Sequence, residues 1–205
     1  MPMFAMRGGA ARLQSIFATT FGLALMLAGT VAATSDIAST QASTLEALRS
    51  HDRARSNADE EGARRALVAA EAGLRALIAA APANGNQWAL LARVDAALNG
   101  FGAATETYLR MSRVTAAYEF PALHKRVALG VACLTELDSA GREALLRDID
   151  TLLSAEPKHR EVAFLADAAR LRSPGTIALV RGAIARTAPG WAAAFDQFAR
   201  YKPKF

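Results

Sequence analysis

From Glu61 onward, apolar residues return every three or four positions and never settle into alternation. Leu67, Leu74, Leu77, Ile78 and Ala81 form one stripe, with Arg64, Glu71 and Arg75 opposite. Further stripes follow through Trp88, Leu91, Val94 or Asp95, and Leu98, then through Leu123, Val127, Val131, Leu134 and Leu137. Leu145, Ile149, Leu152 and Leu153 make another, and Val162, Leu165 and Ala169 the next. Ile177, Val180 and Ile184 precede a last stripe of Trp191, Phe195 and Phe198. A helix advances 3.6 residues per turn, so such spacing puts each set on one face, whereas a strand needs period two. The spacing predicts an all-α fold in which residues 61–205 form successive helical hairpins. Alanine, leucine, arginine and glutamate, the residues that lose least on entering a helix, are plentiful.

The breaks are equally readable. Pro82 and Gly85 end one helix, with Asn86 as the expected N-cap of the next; "NGFG" ends that one, and Pro121 opens another. Ser139 or Asp138 caps the following helix, and a Ser-Pro-Gly break stands at 173–175.

The N-terminal third has a different character. Arg7 and Arg12 precede an uncharged run from Leu13 to Ser35, and Asp36 is the first acid after it. About 20 apolar residues suffice to cross a bilayer, and basic residues on the N-terminal side keep that end in the cytoplasm. Two readings stay open: residues 13–35 as an uncleaved anchor, or a signal peptide cleaved after Ala33. Both place residues 1–12 in the cytoplasm and export the remainder, to the periplasm in a bacterium. Residues 36–60 are polar and rich in Ser and Thr, and read as a linker or a loosely held helix.

The spacing between 61 and 113 is more specific. Trp88, Leu91 and Ala92 stand at the intervals of a W-x2-L-G signature, Ala104 falls sixteen residues after the tryptophan, and Tyr108 four later. Pro82 closes a preceding unit whose small and large packing positions are Ala70 and Leu74. This stretch resembles a tetratricopeptide (TPR) helical-repeat array. The resemblance implies a solenoid of helix pairs packed through Ala70, Leu74, Pro82, Trp88, Leu91, Ala92, Ala104 and Tyr108. It implies too that first helices line a groove for an extended peptide or another protein. In that groove Asn86, Ala89, Arg93 and Ala96 are expected, with Arg93 gripping an acidic group. Arg110 and Arg113, with Lys125 and Arg126, would extend a basic strip. Asp95 departs from the signature's tyrosine, and after Met111 the register fails: Ala122, Lys125 and Asp138 sit where packing residues belong. A generic helical bundle is the competing reading. The segment 106–130 is also similar to small one-span helical proteins associated with bacterial exopolysaccharide or O-antigen assembly.

Little points to chemistry. The three histidines, 51, 124 and 159, lie in separate segments without zinc-helix spacing, and the G-x-S-x-G and phosphate-loop signatures are absent. Cys133 stands alone, so it reads as a buried thiol or a bridge between chains. The net charge of +5 is spread without a basic block, which gives no footprint for nucleic acid. The expectation is a non-enzymatic adaptor with no metal or cofactor, held to the membrane through residues 13–35, with a protein partner of the cell envelope. The alternative is a periplasmic module that binds an acidic glycan or lipid head group.

Overall fold

The computed structural model describes residues 36–154 and 158–200. Among them there are helices and turns and no strand. Helix α1 covers 36–56. It is followed by α2 (Glu60–Ala80), α3 (Gly85–Asn99), α4 (Ala103–Thr115), α5 (Phe120–Ala132) and α6 (Ser139–Leu153). Then come α7 (Lys158–Arg170), α8 (Pro174–Thr187), a 3-10 turn at Pro189–Trp191, and α9 (Ala192–Arg200). The anchor or signal segment expected at 13–35, and the basic tail at 201–205, lie outside the described residues. No helix among the described residues is long and apolar enough to cross a membrane.

Short polar side chains start the helices by accepting from exposed N–H groups of the first turn. Asp59 takes Gly62 N (2.8 Å), Asp138 takes Gly141 N (2.7 Å) and Ser173 takes Thr176 N (3.2 Å). The cap of α3 is Asn84, which accepts from Gln87 N at 3.3 Å, and not Asn86, which lies inside the helix. Gly85 follows because a Cβ there would collide with Ala116. Gly100 ends α3 with φ of 81°, a conformation that suits a residue without Cβ.

Residues 36–60, read as a linker or a loosely held helix, are largely helical, and the helix is packed. Thr44 is buried on α1 where Gly73 of α2 allows close approach, and Ala47 and Leu48 pack against Leu67, Leu74 and their neighbours. Its polar composition hid this, because only a narrow stripe of α1 touches the core.

Helix α3 packs against α2 and α4, α5 against α6, and α8 against α7 and α9, while α3, α5, α7 and α9 also lie side by side, each against the next. In the second row α6 packs on α8, whereas α4 and α6 stand apart across an open trench. The core is correspondingly divided. Leu67, Ala70, Leu74, Ile78, Leu91 and Val94 pack at the N-terminal end. A larger cluster runs from Leu123 and Val127 through Ile149, Leu152, Leu165 and Ile184 to Phe195. Between them lies a thin seam of Ala89, Ala116 and Ala122, with Ala92, Leu109 and Leu129 beside it.

Candidate functional site

Helix α1 presents Leu48, His51, Asp52 and Arg55 at helical i, i+3, i+4 and i+7 positions, all on one face. Facing them on α3 are Leu90, Arg93, Val94 and Ala97, and Leu67 of α2 forms the floor. The cleft between them measures about 360 Å³ and adjoins one of about 520 Å³ that shares His51, Arg55, Leu67 and Ala97. His51 helps hold its wall, with Nδ1 3.2 Å from Ala63 O. The turn after α1 contains Ala58 at φ of 56°, the one non-glycine with positive φ among the described residues.

The electrostatics of this groove are uneven. Arg55 and Arg93 line it, and neither guanidinium has a hydrogen-bond acceptor or a carboxylate partner among the described residues. Asp52 lines the same cleft, and Glu60 the adjoining one. On the neighbouring α5, the Lys125 ammonium donates to Asn86 Oδ1 (2.8 Å) and Pro121 O (3.0 Å). Burial first, and the Arg93 guanidinium second, push the Lys125 ammonium below the usual lysine range. Two cations thus share one face, and an anion there would relieve their repulsion.

The structure brings Asn86, Arg93 and Lys125 together, with Asn86 already engaged by the lysine. Ala89, expected in the groove, is instead buried in the alanine seam, and Ala96 packs beside Ala92 and Leu109. The basic strip forms only at Arg110 and Arg113, since Arg126 is buried and Lys125 bonds to Asn86. Arg110 is exposed on α4, lining the α4–α6 trench. Arg113 donates from Nε to Asp148 Oδ2 at 3.0 Å.

Arg126 is fully buried. Its guanidinium donates to Asp148 Oδ1 (3.0 Å), Ser112 Oγ (3.2 Å), Ala116 O (3.0 Å) and Ala117 O (3.1 Å). The carbonyls at the end of a helix lack intrahelical partners, and a buried cation there satisfies them and complements the helix dipole. The irregular stretch after Met111 is therefore a capped elbow.

Of the residues expected to pack, Ala70, Leu74, Leu91 and Ala92 are buried. Trp88 and Tyr108 are half-buried and stacked, with centroids 6.0 Å apart and planes at 28°. Trp88 Nε1 donates to Pro82 O at 2.8 Å, so the exposed proline serves through its carbonyl. Arg75 lies over the Tyr108 ring, 5.8 Å from its centroid, and donates to its hydroxyl at 3.0 Å. Ala104 is a correction: it is exposed, and Thr105 takes the buried position. Asp95, standing in for the aromatic of the signature, is the cause. This buried carboxylate accepts from Thr105 Oγ1 (2.5 Å) and Asn99 Nδ2 (2.9 Å), so α4 turns a hydroxyl inward.

Elsewhere, His124 Nε2 meets Glu161 Oε2 at 2.7 Å while Nδ1 meets Phe120 O at 2.8 Å, which ties α5 to α7. Cys133 is half-buried, and burial, reinforced by the Glu136 carboxylate, pushes its thiol above the usual range. Among the described residues no three His, Cys, Asp or Glu side chains gather as metal ligands would. No family model, curated protein or solved structure matches the chain.

Proposed function

We propose that this chain is a non-enzymatic adaptor, exported and membrane-tethered, whose TPR-like helix pairs hold an acidic segment of a protein partner. The tether is read from the uncharged run at 13–35. The repeat reading is supported by the side-by-side row α3, α5, α7 and α9, and by the Trp88–Pro82 bond that joins one unit to the next. The observation that carries the binding role is the α1–α3 groove, where Arg55 and Arg93 stand without carboxylate partners over Leu67 and Leu90. An apolar floor rewards burial of side chains, and a guanidinium grips a carboxylate with two bonds. A place in bacterial cell-envelope polysaccharide assembly is the pathway suggested by the resemblance of residues 106–130.

A crosslinked pull-down from membranes, using the C-terminally tagged full chain and its Arg93→Glu variant, tests this reading. A stoichiometric envelope protein captured by the parent, and reduced at least tenfold by the charge reversal, is the expected result. Capture that survives the reversal would move binding to another face. Recovery of the bait alone would sink the adaptor reading and turn attention to an acidic glycan or lipid head group, which the cationic pair Arg93 and Lys125 also suits. The mass of the recovered bait decides between anchor and cleavage after Ala33.

A further inference from the structure

The trench between α4 and α6, which shares no lining residue with the Arg93 groove, ends in a pocket of about 210 Å³. Its charge is unbalanced. Asp148 is the one carboxylate at its floor, and two guanidiniums share it: Arg126 from below and Arg113 from the side. Arg113 spends only Nε on that contact; its two Nη atoms have no acceptor among the described residues, and the side chain is 27% exposed. Arg147 lines the same pocket from α6, with Glu143 as a loose partner at 3.8 Å and both side chains about 70% exposed. Two arginines are therefore left facing a space that one carboxylate cannot neutralise.

Tyr118 stands over the same pocket and is 80% exposed, although nothing in the core uses its ring. Its position is not a loose loop's. Arg126 donates to the carbonyls of Ala116 and Ala117, the two residues just before it, so the elbow that carries Tyr118 is held from beneath. Burying an arginine is costly, and here that buried charge sets the shape of an exposed turn.

We propose that this pocket is a second binding site, for a carboxylate or phosphate group held by the Nη atoms of Arg113 and by Arg147, with Tyr118 packing against the body that bears it. Oxyanions match the planar fork of guanidinium, and an aromatic face adds contact area at small entropic cost. The remaining trench, lined by Leu109 and Arg110 but also by Glu106 and Asp138, is where an uncharged part of the ligand extends. The site is independent of the groove at Arg93 and does not require the adaptor reading.

Calorimetric titration of the purified full chain with inorganic phosphate, and separately with a hexaglutamate peptide, tests the assignment. Saturable binding below about 10 mM is expected for at least one probe. Preference for phosphate identifies a phosphorylated ligand, and preference for the peptide a carboxylate-bearing one. Arg113→Gln and Arg147→Gln should each weaken binding at least fivefold. Arg142→Gln, which removes a charge from α6 outside the pocket, should leave it unchanged. Arg147 is exposed, so its variant keeps the fold and reports on the site even where Arg113→Gln lowers stability. Absence of saturation with both probes would overturn the proposal, and so would equal losses in all three variants, which would mean attraction to net charge alone.

Discussion

Replacing Arg126 by Met leaves Ala116 O and Ala117 O without donors and strips Asp148 of its buried partner. Removing one member of a buried ion pair costs about 3–5 kcal/mol, because the other charge stays desolvated. For a chain of this size that corresponds to a fall in melting temperature of roughly 10 °C, measurable by circular dichroism. Arg113→Gln removes one bond from the same carboxylate at a more exposed position and should cost far less. Equal losses would show that Arg126 contributes no more than a surface ion pair. The sequence marked Arg126 as one more cation of a surface strip. Its burial was illegible because the partner that holds it lies 22 residues away on another helix.

Helix α4 carries a comparable lesson one level up. The repeat signature places a small packing residue at 104, yet the helix is rotated so that Thr105 faces inward to Asp95. Thr105→Val keeps the shape and deletes the donor, which should destabilise by about 1–3 kcal/mol since a buried acceptor loses its bond. Ala104→Ser, on the solvent side, should stay within about 0.5 kcal/mol. Urea denaturation of the two variants checks this, and a larger loss at 104 would restore the repeat register. Helix existence was legible throughout, because periodicity is a local property of the chain. The rotation of one helix against the next was not, since a single buried carboxylate decides it. Helix α1 was missed as a packed element for a related reason: Thr44, Ala47 and Leu48 are too few and too small to make a stripe that stands out.

At the scale of the molecule, the two principal clusters differ in size and meet at an alanine seam, with the α4–α6 trench open beside it. Regions with few buried apolar contacts open at lower free energy than the body of the core. Native-state hydrogen exchange should therefore find amides of α1 exchanging through local opening, while those of α5 to α8 in the large cluster are released only on global unfolding. Uniform protection would contradict the division. The helical class, the breaks at Pro82, Pro121 and Ser173, and most core positions were determined by the sequence itself, because each follows from side chains within a turn or two of one another. Of the groove, Arg93 and Asn86 were legible as neighbours on a helix face. That Arg55 of α1 stands across from them, that Lys125 has taken up Asn86, and that two arginines converge on Asp148 beside Tyr118 were decided by tertiary structure alone. Local spacing sets which face of a helix a side chain occupies, but which charges meet there depends on how distant helices pack.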